Sequence, residues 1–139
     1  MKKFLVLLGV ILLFCGMLPS PVMAENVELN VSEFKCIDDS KMVISFSLVN
    51  YRGFDFPNVS LCFKILKDGN PIAGRELRVV VPKGSDGSRV YQTMIAVSCG
   101  QGDYGLSSTV FIDAKRYEIE EWFAGCPGSW KSSGNDQLK

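Results

Sequence analysis

An all-β sandwich is the fold class that this sequence predicts, and three observations predict it. Apolar residues recur with period two along most of the chain. Turn-forming residues separate these alternating runs at short intervals. No convincing amphipathic helix interrupts them.

The first 24 residues stand apart from that pattern. Lys2 and Lys3 precede an unbroken apolar run from Phe4 to Leu18, which Pro19, Ser20 and Pro21 break. Val22-Met23-Ala24 then places small residues at the two positions that a signal peptidase reads. This order predicts an export signal over residues 1–24, cleaved after Ala24. The run is shorter than the roughly 18–20 apolar residues of a membrane span, so none is expected after cleavage. Phe14 before Cys15 is too bulky for the usual lipoprotein cleavage pattern.

Seven strands are expected in the remainder. Val27, Leu29 and Val31 alternate with Glu28, Asn30 and Ser32. Met42, Ile44, Phe46 and Leu48 alternate with Val43, Ser45, Ser47 and Val49. Leu61, Phe63 and Ile65 alternate with Ser60, Cys62 and Lys64, and Leu77, Val79 and Val81 with Glu76, Arg78 and Val80. The run Ser88 to Val97 sets Val90, Gln92, Met94 and Ala96 against Arg89, Tyr91, Thr93, Ile95 and Val97. Leu106 to Ile112 is the sixth. Tyr117 to Phe123 is the seventh: the charges of Lys115 to Phe123 also allow a short helix, but the alternation of Tyr117, Ile119 and Glu121 favours a last strand. β-Branched and aromatic residues, which suit a pleated surface, are plentiful in all of them. The clearest turn is Lys67-Asp68-Gly69-Asn70-Pro71, because Asp-Gly tolerates the positive φ angles of a tight hairpin.

Cleavage would leave 115 of the 139 residues, enough for one core. The sandwich is expected over 25–126 and a loose polar tail over 127–139. Two of the fifteen basic residues fall in the signal, so 13 basic side chains face 15 acidic ones. That balance gives no electrostatic reason to expect nucleic acid or an anionic membrane as partner. Histidine is absent, which removes Ser-His-Asp and Cys-His nucleophilic catalysis and the commonest zinc and copper ligand.

Cys36, Cys62, Cys99 and Cys126 remain beyond the signal. Four cysteines in a small exported domain predict two structural disulfides. Their wide spacing, with no C-x-x-C, argues against a redox motif or zinc knuckle. Three pairings are possible. Strands in a simple sandwich reach shared poles, and on that ground Cys36–Cys62 with Cys99–Cys126 is the pairing expected.

Several positions invite a functional reading. Tyr51, Phe54 and Phe56 flank Arg52 and Asp55 in one loop, and aromatics there could form a recognition tip or cap the core. Tyr104, after Gly102-Asp103, sits where sandwiches place a corner tyrosine bonded to nearby backbone. Asp113, Glu118, Glu120 and Glu121 gather carboxylates. On a strand, Glu118 and Glu120 would face away from Glu121, so a solvated face is expected and no metal or cofactor. Trp122 is expected against the core, while Trp130 could fold back or stand exposed. Asn30-Val31-Ser32 and Asn58-Val59-Ser60 fit the glycosylation sequon, but the leader looks bacterial and they are read as accidental.

The order of features resembles a known family. The strand from Asp39 ends in Asn50 and then Gly53. The Lys64-Ile65-Leu66-Lys67-Asp68-Gly69 hairpin follows, then Val79-Val80-Val81-Pro82-Lys83-Gly84. Gly102-Asp103-Tyr104 opens a strand ending in Asp113, before Ile119-Glu120-Glu121. Over Val27 to Phe123 this is similar to CARDB modules, cell-adhesion-related domains of bacteria and archaea. The resemblance implies an immunoglobulin/fibronectin-III-like sandwich, an extracytoplasmic binding or spacer role and no catalytic residues. The expected function is therefore a secreted or periplasmic, non-enzymatic module that binds a protein or surface component of the bacterial envelope. A carbohydrate-binding or accessory domain serving an envelope enzyme is the alternative.

Overall fold

A computed structural model describes residues 21–24, 26–126 and 131–133. Two sheets face each other across one apolar core. The first runs in the order β1 (Val22–Ala24), β2 (Val27–Asp38), β3 (Lys41–Asn50) and β6 (Tyr91–Ala96), all antiparallel. The second runs β7 (Tyr104–Ile112), β4 (Phe56–Lys67), β5 (Asn70–Val81). These three are antiparallel, and a short β8 (Lys131–Ser133) joins the free edge of β5 in parallel. One helix, α1 (Arg116–Trp122), follows β7.

The period-two pattern becomes the inward faces. Val27 and Leu29 of β2, Met42, Ile44, Phe46 and Leu48 of β3, and Tyr91 and Ile95 of β6 point inward from one sheet. Val59, Leu61, Phe63 and Ile65 of β4 meet them, with Leu77, Val79 and Val81 of β5 and Leu106 and Val110 of β7. Phe46 is the centre of the seam. Its ring lies 5.6 Å from that of Phe63 in the opposing sheet and 5.7 Å from that of Tyr91 on β6. Such tilted aromatic pairs each contribute about 0.5–1.5 kcal/mol beyond the area they bury.

The Asp68-Gly69 hairpin forms as its chemistry demands. Asp68 takes φ 52° and Gly69 φ 86°, and Lys67 pairs with Asn70 across a two-residue turn. Asp68 is also tied to the β6–β7 loop: its amide donates to the Asp103 carbonyl at 2.8 Å, and its Oδ1 accepts from the Asp103 amide at 3.0 Å. Tyr104 opens β7 as a corner residue. Its hydroxyl donates to the Ser98 carbonyl at 3.1 Å and accepts from the Gly100 amide at 2.9 Å.

The segment Tyr117–Phe123 is not a strand. Residues 116–122 form α1, because Ile119 and Phe123, four apart, are both buried on the outer face of the second sheet. The alternation of Tyr117, Ile119 and Glu121 is too short to outweigh that i, i+4 apolar pair. Glu118 closes the first turn, its Oε2 accepting from the Lys115 amide at 2.8 Å. Ile119 and Phe123 pack on Cys62, with Phe111, Ala114 and Trp122 against them, a small second core behind the main one. Arg116 reaches the fully buried Glu76 of β5 at 2.9 Å. The other Glu76 oxygen accepts from Ser60 Oγ at 3.0 Å and Arg78 Nε at 3.2 Å. At the far end of the helix, Lys64 Nζ donates to the Trp122 carbonyl at 2.9 Å and sits 4.2 Å from the centre of the Trp122 ring.

The expected cysteine pairing is also corrected. Cys36 bonds Cys99, with Cα atoms 6.4 Å apart, and Cys62 and Cys126 are free thiols. Strand order explains the difference. β2 and β6 flank β3 on its two edges, and the chain after β6 closes on the β2–β3 turn through Val97 N–H to Ser40 O and Cys99 N–H to Asp39 O. Cys36 and Cys99 thus meet at one pole. Cys62 lies in the other sheet and points outward from it.

At the chain ends, Val22–Ala24 pairs with Val27–Leu29, and most of the expected signal, residues 1–20, lies outside the described residues. The expected tail contributes Lys131–Ser133 to the second sheet, while Trp130 and residues 134–139 lie outside the described ones. Among the described residues no helix is long and apolar enough to cross a membrane.

Candidate functional site

The β3–β4 loop lies at the pole opposite the disulfide, and one asparagine organises it. Asn50 ends β3 and is nearly buried. Its Nδ2 donates to the Phe54 carbonyl at 2.9 Å and to the Val81 carbonyl at 3.2 Å. Its Oδ1 accepts from the Arg52 amide at 2.8 Å, an Asx-type turn that reverses the chain. Its own amide donates to Ser85 O at 2.8 Å. One residue therefore joins the β3–β4 loop, the end of β5 and the β5–β6 loop.

Neighbouring bonds complete the brace. Asp55 Oδ1 accepts from the Lys83 amide at 2.8 Å, and the Tyr51 amide donates to Asn26 O at 2.8 Å. Val49 forms an antiparallel bridge with Asp86. Asp86 Oδ1 accepts from both the amide and the hydroxyl of Ser88, and these bonds hold its carboxyl below the usual range.

With the backbone held this way, the side chains at the tip face solvent. Tyr51 is 56% exposed and Phe54 49%. Phe56 is only 7% exposed and closes the end of the core, so the three aromatics divide between surface and interior. The Phe54 ring lies 5.1 Å from Phe56, and the Arg52 guanidinium 5.0 Å from the Phe54 ring centre. The Tyr51 hydroxyl donates to Glu28 Oε1 at 3.0 Å. That hydrogen bond to a carboxylate pushes the phenol above its ordinary value of 10.0.

The result is a rigid platform of one aromatic face, one phenol and one guanidinium. These side chains give large contact area at low conformational cost, which suits recognition of another surface. Among the described residues, no group of three or more His, Cys, Asp or Glu side chains is placed to hold a metal ion.

The acidic positions are employed otherwise than a strand would allow. Glu118 caps α1, and Glu120 pairs with Arg116 one turn away at 3.6 Å. Asp113 takes φ 53° and its amide donates to Asn58 O at 2.9 Å, marking the bend between β7 and the helix. Trp122 packs edge-on against Phe123, 4.8 Å between ring centres, on the helix layer and not in the main core. Asn50 enters the sequence analysis only as the end of a strand, and its role in bracing the loop is seen in its bonds. Its signal was an asparagine at the last position of a strand followed two residues on by a turn, the usual place for an Asx turn.

Compared with known families, curated proteins and solved structures, the chain matches no family model, no curated protein and no solved structure.

Proposed function

We propose that this protein is an exported, non-enzymatic immunoglobulin-like module that binds a protein or surface component of the bacterial envelope through the Tyr51–Phe56 loop. The observation that carries the reading is the braced tip, where Tyr51, Arg52 and Phe54 stand out on backbone fixed by Asn50 and Asp55. Rigid aromatic and arginine side chains at the end of a sandwich are the groups that dominate binding energy at interfaces.

Other features support the sandwich type. The strand neighbours β2-β3-β6 and β7-β4-β5 follow the A-B-E and F-C-C′ order of fibronectin-III-like domains, while α1, which takes the place of a last strand in chain order, packs on the outer face of the second sheet. Tyr104 makes corner bonds at the start of the strand equivalent to F. The resemblance to CARDB modules points to the same class. The leader-like residues 1–24 and the Cys36–Cys99 bond suit a compartment outside the cytoplasm.

Crosslinking the tagged protein in the envelope fraction tests the proposal. Wild type should capture a defined partner, and Tyr51→Ala with Phe54→Ala should lose at least about tenfold of it, as expected for removal of two interface anchors. Capture that is equal in the two, or recovery of the wild type always alone, would sink it. The exposed Phe54 ring also favours a second reading, stacking on a sugar face. A glycan array with the same variant separates the two, since a glycan reader binds without any protein partner.

A further inference from the structure

The main core, the disulfide pole and the tip account for most of the chemistry-bearing side chains. The layer behind the second sheet does not fit into any of them. Among the described residues, two thiols, Cys62 and Cys126, stand outside the Cys36–Cys99 bond, and the first of them lies in this layer. Cys62 is fully buried there and packs with Ile119 and Phe123 of the helix segment. Cys126 follows that segment. Its amide donates to the Phe123 carbonyl at 3.0 Å, so it lies one turn beyond the residue that covers Cys62.

Two further details keep the exit of α1 above this spot. Lys64 is two residues from Cys62 on the same face of β4, and it bonds the Trp122 carbonyl. Burial raises the Cys126 thiol above its ordinary value, and the nearby Lys64 charge offsets part of that rise. Gly125 takes φ 88°, a left-handed conformation open to glycine, which turns the chain between Phe123 and Cys126.

We propose that Cys62 and Cys126 form a second disulfide in the oxidised protein, one that fastens the end of α1 to β4. Its formation in the cell rests on the export reading, but its geometry does not. The chemistry is exchange with a small-molecule or protein disulfide, RSSR. The half-exposed Cys126 enters first: its thiolate attacks RSSR, giving a mixed disulfide and one RS⁻. Cys62 then gives up its proton and attacks the Cys126 sulfur, expelling a second RS⁻. Two thiol protons and two electrons leave the protein, and RSSR becomes two thiols. Burial raises the Cys62 thiol well above its ordinary value, so this second step should be slow compared with closure of Cys36–Cys99.

The test uses the full chain from Glu25 onward, reduced, unfolded and refolded with oxidised and reduced glutathione. Thiols are counted by alkylation in denaturant, and a digest is mapped without reduction. The expected result is no free thiol and one linked peptide pair joining Cys62 to Cys126, beside the Cys36–Cys99 pair. Two free thiols at Cys62 and Cys126 after long oxidation would overturn the proposal. So would Cys126 bridged to a second molecule, or held by glutathione, with Cys62 free. The Cys126→Ser variant guards against misfolding: it should retain Cys36–Cys99 and hold a single Cys62 thiol that alkylates only once the protein is unfolded. The same count on protein taken from the envelope fraction bears on the compartment. Free thiols there, with the bridge formed in glutathione, would fall against the export reading and leave the pairing standing.

Discussion

Removing the Cys36–Cys99 bond should cost this domain a large part of its stability, mostly through the unfolded chain. The perturbation is the double variant Cys36→Ser with Cys99→Ser. The two residues are 63 apart in sequence, and closing a loop of that length restricts the unfolded ensemble by about 4 kcal/mol in the chain-entropy account. Little else should change in the folded state. Cys36 is exposed and Cys99 only partly buried, so serine leaves no sizeable cavity at either site. A domain of this size has a net stability on the order of 5–15 kcal/mol, so the loss is a large share of the whole. The assay is urea unfolding of oxidised wild type and double variant, followed by the fluorescence of the tryptophans. The midpoint should fall by about 2–3 M, and the slope should rise because an uncrosslinked chain exposes more surface. A loss below about 1 kcal/mol with an unchanged slope would refute the reasoning, since it would mean that the bridge does not constrain the unfolded state. Any response to reductant that persists in the double variant belongs to Cys62 and Cys126.

Four other outcomes follow from the same geometry. Glu76→Gln keeps the shape of the fully buried side chain but removes the charge facing Arg78 and Arg116, and should cost about 2–3 kcal/mol in urea unfolding, with faster amide exchange in α1. The two arginines are each about two-fifths exposed and can return to water, which keeps the cost below that of a fully buried pair. Tyr104→Phe loses the bonds to Ser98 and Gly100 and should cost about 1–2 kcal/mol, read as a lower melting temperature. Phe54→Ala should change stability by about 1 kcal/mol or less while weakening partner capture, because its ring faces solvent and its loop is held by Asn50. The Tyr51 phenol should titrate above 10.0 in alkaline absorbance and move back down in Glu28→Gln; its bond to Glu28 contributes fully below the ordinary value and is lost as pH climbs through the raised one. An unshifted phenol in both proteins would show that the bond does not persist in solution.

The strands were legible because period two is a local property, and six of the seven expected runs lie within strands or overlap them. What was illegible depended on which strands become neighbours. Nothing near Cys36 or Cys99 announces that β6 takes the free edge of β3, and only that placement brings the two sulfurs together. Glu76 shows the same limit. It occupies an outward position on β5, where alternation places a solvated side chain, and it is buried because α1 covers that face. The helix itself left a readable trace in Ile119 and Phe123, spaced for one helical face, with Glu118 three residues after Lys115 to close the first turn. A nine-residue window carried both periods, and packing against Cys62 and Phe111 decided between them. At the tip, composition marked the loop, but the split between exposed Phe54 and buried Phe56 required the bend that Asn50 makes.

Both poles of the sandwich are held by polar side chains that bond backbone groups, and among the described residues a covalent bridge is added at one of them. At one pole the constraints involve side chains: the Cys36–Cys99 bond, the Tyr104 corner and the Asp68–Asp103 bonds join the β2–β3 turn, the β4–β5 hairpin and the β6–β7 loop. Those residues cannot vary without loosening the fold. At the other pole, Asn50 and Asp55 grip backbone groups of Arg52, Phe54, Val81 and Lys83. Backbone atoms are common to every residue, so the loop keeps its course whatever side chains it displays. Arg52 and Phe54, and Tyr51 apart from its bond to Glu28, thereby stand where the main chain is already ordered, and under the proposed binding role little conformational entropy would remain to be lost on docking. A loop whose shape is set by two polar side chains and whose surface is set by three others can change its specificity without changing its fold. Exchanging Tyr51, Arg52 and Phe54 together should therefore alter what is bound and leave the unfolding midpoint nearly where it was, whereas Asn50→Ala should disturb both.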